Sequence, residues 1–164
     1  MVILDNGKRR EFPTGAVRDY KEGAGRCDLL PLREFNQIMS FHGDYTDYFI
    51  ELIDKFKTDG DVKHLIEAFD TMLTNELDWD VEQAMLEVAV HFEEGAVKYG
   101  DDNWKKGIPV NVYIDSCIRH YLKYKSGMTD ERHDRAVLWN LVCCMWTCNN
   151  MPELNVYADS EVEK

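Results

Sequence analysis

Apolar positions along this chain recur with a helical period, and almost nowhere with the alternation of a strand. The pattern predicts helices over Leu32–Met39, Asp44–Thr58, Asp61–Glu76, Asp80–Tyr99, Val110–Lys125 and Asp130–Asn149. Phe41-His-Gly43, Asp59-Gly60, Leu77-Asp78-Trp79, residues 100–109 and Ser126-Gly127 break the pattern between them. Residues 1–31 show neither period and are punctuated by Pro13-Thr-Gly15, Gly23-Ala-Gly25 and Pro31. The expectation is an all-α fold: a bundle of about five to six helices over residues 32–150, behind an irregular N-terminal segment and ahead of a tail over 151–164.

Two of these helices are informative. Asp80 and Gln83 occupy N-cap and N3 positions of a capping-box-like start. On the wheel that follows, Met85, Leu86, Val88, Ala89, Val90, Phe92, Ala96 and Val97 spread over one broad apolar arc. Opposite them Glu87, His91, Glu94 and Lys98 share a narrow polar stripe. The last helix is apolar nearly all round from Ala136 to Cys148, as a helix at the centre of a bundle is. Asn140 in its middle must find hydrogen-bond partners, and His133 lies on the same side. Between the two, Asp115 with Arg119 and Ser116 with His120 are spaced i, i+4.

Charge narrows the function. The 164 residues carry a formal net charge of −12, which opposes binding to duplex nucleic acid or an anionic membrane. Residues 1–31 hold six Lys/Arg against five Asp/Glu, leaving 13 against 26 for the remainder. An acidic body that takes an anionic ligand needs cations at the site, either metal ions or basic side chains. No apolar run approaches the ~18 residues of a membrane span. Met1-Val-Ile-Leu-Asp5 is too short for a signal peptide. Five cysteines, three of them crowded at 143, 144 and 148, read as buried thiols rather than a disulfide framework. A cytoplasmic protein is expected.

Two carboxylates on each of two helices can hold Mg²⁺ or Mn²⁺ inside a bundle, and Glu87, Glu94, Glu131 and Asp134 supply that count. The plainer reading is a solvated stripe with i, i+4 pairing, plus acidic residues favoured at a helix N-terminus. His120 and His133 have two readings, structural or functional, of which the residues alone favour the structural one. His133-Asp134 is the dipeptide of HD phosphohydrolases, but no spaced His and Asp partners accompany it. Residues 98–109 place Tyr99, Asn103, Trp104 and three lysines close together, suited to stacking a base and meeting phosphate. Their alternative is a helix end at Gly100 with Trp104 folded onto the core.

Several ordered blocks resemble a phage-borne family described as dATP/dGTP diphosphohydrolase, N-terminal domain. They are Phe12-Pro-Thr-Gly15-Ala-Val-Arg18-Asp, Gly23-Ala-Gly-Arg26-Cys-Asp28-Leu-Leu-Pro31 and Glu87-Val-Ala-Val-His-Phe-Glu-Glu94 through Lys98-Tyr-Gly. Further on come Asn103-Trp104, Lys106-Gly-Ile-Pro109, Tyr113-Ile-Asp115-Ser-Cys-Ile-Arg119-His120, and Asp130-Glu131-Arg-His133-Asp134 to Trp139-Asn140. Residues ~35–80 read as an insertion present in some members only. The resemblance implies removal of pyrophosphate from purine deoxynucleoside triphosphates. It also implies kinship to MazG-like all-α pyrophosphohydrolases, which hold magnesium with ExxE and ExxD motifs and usually assemble, so a homo-oligomer is expected. Glu131-Arg-His-Asp134 fits ExxD, whereas His91-Phe-Glu-Glu94 has His where ExxE has Glu. On this reading Glu87, Glu94, Glu131 and Asp134 hold the metal, and His91 or His133 orients or deprotonates water. Arg26, Lys98, Arg119, His120 and Asn140 meet the substrate, with Tyr99 and Trp104 stacking on the base and Asn103 reading its edge. A non-catalytic nucleotide-sequestering or regulatory protein is the alternative, and a helical interaction module a third.

Overall fold

The computed structural model describes residues 7–19, 23–43 and 46–158. Six α-helices follow a short N-terminal hairpin: α1 (Leu32–Gly43), α2 (Tyr48–Asp59), α3 (Lys63–Thr71), α4 (Val81–Tyr99), α5 (Val110–Lys125) and α6 (His133–Asn150). The all-α bundle expected from the pattern is what forms. The expected helix start at Asp44, the leader reading of Met1–Asp5 and the tail beyond residue 158 lie outside the described residues. Among the described residues no helix is long and apolar enough to cross a membrane.

Caps fix the ends. Asp47 accepts from the Ile50 amide at 3.1 Å to open α2, and Asp80 accepts from the Gln83 amide at 2.7 Å to open α4. Gly60 closes α2 at φ 68°, and a Cβ there would sit 2.6 Å from the Ala158 amide nitrogen. Left-handed backbone and close approach both demand glycine at that corner.

α6 is buried along most of its length and forms the axis of the bundle, as its all-round apolar sequence predicts. α5 runs antiparallel beside it, since His120 meets His133 near the connection and Tyr113 meets Trp139 further along. Phe49 of α2 stacks on Tyr121 of α5 with centroids 4.1 Å apart. The Tyr121 hydroxyl donates to Asp47 at 2.7 Å, and Asn36 of α1 bonds both the amide and the carbonyl of Asp47. One cap residue thereby ties α1, α2 and α5. Cys117, Cys143, Cys144 and Cys148 are buried free thiols and Cys27 a half-buried one, as expected.

The structure corrects the sequence reading at five places. The first helix runs on to Gly43, through the break expected at Phe41-His-Gly43. The N-terminal segment contains two antiparallel strands, β1 (Arg9–Glu11) and β2 (Val17–Asp19), paired Arg10 to Arg18. Three residues per strand are too few to show a period. The helix expected over Asp61–Glu76 stays α-helical only to Thr71, and a π turn follows over Met72–Leu77. Left-handed Asp78, at φ 53°, ends it. α6 starts at His133 rather than Asp130, because Asp130 accepts from the His133 ring and so belongs to the lead-in with Glu131. Finally, α4 is rotated about its axis: Val88 and Phe92 of the expected apolar arc pack on the core, but most of the rest turns outward. Its polar stripe packs toward α6 while Met85, Leu86 and Val97 are 66%, 72% and 87% exposed.

Candidate functional site

The rotation of α4 has a physical cause at the start of α6. Arg135, buried at the start of α6, donates to Glu94 at 2.9 Å and lies 3.7 Å from Glu87. Arg132 donates to Asp134 at 3.0 Å through two nitrogens and to Glu87 at 3.3 Å. Ion pairs to buried arginine draw the carboxylates of α4 inward, where they satisfy charge that apolar residues cannot.

The hairpin is held against the end of α4 by polar bonds. Lys98 pairs with Asp19, and the Tyr99 hydroxyl accepts from the Asp19 amide at 3.2 Å. Asn103 accepts from the Val17 amide at 3.0 Å and donates to its carbonyl at 2.8 Å. Thr14 donates to the Gly107 carbonyl. These contacts enclose a cleft of about 1140 Å³ between the hairpin, α4, α5 and α6.

Arg18 enters this cleft from β2. Its guanidinium donates to Asn140 Oδ1 at 2.8 Å and lies over the rings of Tyr113 and Trp139, 5.4 and 5.6 Å from their centroids. Asn140 in turn donates to the Ala136 carbonyl at 2.8 Å, so both ends of the lone amide in α6 are engaged. His91 faces Trp139 at 5.2 Å between centroids. Burial first, then the charges of Arg135 and Arg18, push its pKa down to about 3, so the ring is neutral. Burial, with His133 and Arg18 beside it, pushes His120 down to about 2. Asp115 accepts from Arg119 and from the Cys27 amide, and Arg119 also donates to the Gly25 carbonyl at 2.8 Å.

Among the described residues, seven buried side-chain polar atoms have no protein partner, and six of the residues carrying them line this cleft. They are Arg18 Nη1, Arg119 Nε, Arg135 Nε, Trp139 Nε1, His91 Nδ1 and one Asp19 oxygen. Buried polar groups are nearly always paired, and four of these are obligate donors. In charge, too, the cleft departs from the acidic chain, since seven Lys/Arg and seven Asp/Glu line it.

Ten of the residues singled out in the sequence line the cleft: Arg26, His91, Glu94, Tyr99, Asn103, Trp104, Arg119, His120, Glu131 and Asn140. Glu87, Lys98, His133 and Asp134 do not. His133 lies directly behind His120, the two Nδ1 atoms 2.9 Å apart. The four carboxylates do not form one cluster; three pair with Arg132 and Arg135, and Glu131 lies beside His120. Asn103 spends both ends of its amide on Val17, which leaves no base edge for it to read. Trp104 packs between Phe92 and Trp146, 5.1 and 5.0 Å away, and anchors the loop after α4. Arg26 is held by Asp28. Arg18, Arg132, Arg135, Asp19 and Trp139 received no role from the sequence. Nothing in periodicity marks Arg18, since only tertiary folding brings the hairpin over α6.

No curated protein and no solved structure matches the chain. A family model described as dATP/dGTP diphosphohydrolase, N-terminal, matches residues 61–156. The match takes in α3 and its π turn, part of the stretch read as an insertion, and begins after the two N-terminal blocks. Matched over more than half its length, with the α4–α6 walls of the cleft inside the match, the chain belongs to the dATP/dGTP diphosphohydrolase, N-terminal, family.

Proposed function

We propose that the cleft binds a purine deoxynucleoside triphosphate and hydrolyses it to the monophosphate and pyrophosphate. The observation that carries this reading is the concentration of unpartnered buried donors on Arg18, Arg119, Arg135 and Trp139 in one cleft of an otherwise acidic chain. A triphosphate offers many acceptor oxygens and the negative charge that three arginines call for. The family description supports the choice of substrate.

Water attacks a phosphorus, the bond to the bridging oxygen breaks, and pyrophosphate leaves with that oxygen. Neutral His91 is placed to hydrogen-bond the water or a phosphate oxygen through Nδ1. Burial is the main cause of its low pKa, and phosphate charge beside Arg18 and Arg135 would offset the smaller part that these cations add, making it a better base. Tyr99 lines the same cleft and offers a ring face to the base. A divalent metal is part of this reading, but Glu87, Glu94 and Asp134 do not suit magnesium as they stand, each being engaged by arginine.

That same engagement favours a second reading, in which the cleft binds nucleotide and holds it intact. Product chromatography on a panel of deoxynucleoside and ribonucleoside triphosphates, with and without Mg²⁺ or Mn²⁺, separates the two. Monophosphate and pyrophosphate from dATP and dGTP support hydrolysis. Nucleotide that co-purifies with the protein unchanged supports sequestration.

A further inference from the structure

Three side chains at the edge of the cleft converge: one ring nitrogen each of His120 and His133 and a Glu131 carboxylate oxygen lie within 4.8 Å of one another. Among the described residues this is the single grouping of three or more such side chains at that spacing. α5 supplies His120, the lead-in to α6 supplies Glu131, and the first residue of α6 is His133. The two nitrogens lie 2.9 Å apart, and Glu131 Oε2 is 3.9 Å from His120 Nδ1. Two imidazole nitrogens on one tetrahedral ion, bonded at about 2.05 Å, stand roughly 3.3 Å apart. A small rotation of either ring gives that spacing.

A second observation comes from the far side of His133. Its Nε2 lies 2.8 Å from Asp130 Oδ1. A carboxylate at that nitrogen fixes the proton there, so Nδ1 of the neutral ring turns a lone pair toward His120. His120 Nδ1 then carries the proton that joins the pair. Moving this proton to His120 Nε2 exchanges one neutral tautomer for the other and aims a second lone pair at the same point. A ligand histidine held by a carboxylate behind it is the usual arrangement around a protein-bound transition ion.

We infer that His120, His133 and Glu131 bind one divalent transition ion of the zinc class. Two imidazoles and one carboxylate favour such an ion over magnesium, which takes oxygen ligands. Three protein ligands leave a position open, and His120 and Glu131 both line the cleft. Use of that position by a phosphate oxygen or a water rests on the triphosphate reading above; binding of the ion does not.

The test titrates metal-free protein with Co²⁺, whose visible bands report nitrogen ligation, and then displaces it with Zn²⁺. One equivalent should bind and resist excess Mg²⁺. His120→Ala and Glu131→Gln should weaken binding at least ~10-fold, and Asp130→Asn by about 10- to 100-fold, as for second ligand spheres generally. Glu87→Gln and Asp134→Asn should leave the affinity unchanged. His133 is buried; if His133→Ala fails to fold, the more exposed Glu131→Gln and Asp130→Asn carry the test. Absence of nitrogen-ligated Co²⁺ in the wild type overturns the inference, as does unchanged affinity in both His120→Ala and Glu131→Gln. Metal bound at these residues without any nucleotide hydrolysis upholds the site and removes the hydrolase reading. Full hydrolysis in variants that have lost no Co²⁺ affinity removes the site alone.

Discussion

Arg18 reaches the floor of the cleft from a strand of three residues, and its fit there is built from both sides. Asn140 holds one terminal nitrogen, the guanidinium lies over the rings of Tyr113 and Trp139, and the other terminal nitrogen lacks a protein partner. Arg18→Met should therefore weaken triphosphate binding by about 1.5–3 kcal/mol, the worth of a hydrogen bond to a charged group. Calorimetry with dGTP checks this, and undiminished affinity would take Arg18 out of the site. Trp104 behaves oppositely. Packed on Phe92 and Trp146, it should cost ~3 kcal/mol or more of stability when cut to alanine. The order of preference among nucleotides, compared in the same variant, should stay the same. His91 gives a pH signature. Its pKa falls from 6.5 to about 3 on folding, so the unfolded chain takes up a proton that the folded chain refuses. The stability His91 contributes is complete above pH 6.5 and is lost as pH falls toward 3. His91→Asn should flatten the decline in melting temperature between pH 6.5 and 4.5; an unchanged slope contradicts a buried neutral ring.

At the scale of elements, the helices with one consistent period were legible. α5 and α6 appear close to their predicted limits, and Asp80 and Gly100 cap α4 as the residue types require. The orientation of α4 was not legible. Periodicity assumes that the apolar arc faces the core, but Arg132 and Arg135 on another helix decide which face is drawn in. The same ion pairs explain why four carboxylates at metal-like spacing form no common cluster. Sequence spacing counts acidic residues and cannot show which arginine will reach them. Substitution along α4 tests the orientation: Val97→Ser should change stability by less than ~0.5 kcal/mol, whereas Val88→Ala should cost about 1–2 kcal/mol. Urea unfolding of both variants measures this. A larger loss at Val97 than at Val88 would contradict the rotated helix.

Over the whole molecule, charge and architecture address the same problem. An acidic chain that binds a polyanion must concentrate cations where the ligand sits, and the cleft draws them from the hairpin, α5 and α6 together. The sequence indicated the need for such cations but not their identity, because Arg18, Arg119 and Arg135 converge only through long-range packing. On the proposed function, this cleft cleaves a purine deoxynucleoside triphosphate between its first and second phosphates. A single-turnover reaction, with protein in excess over dATP or dGTP and products separated by chromatography, tests it most directly. Equal amounts of deoxynucleoside monophosphate and pyrophosphate are the predicted result. Diphosphate with inorganic phosphate, or triphosphate recovered intact, would contradict it.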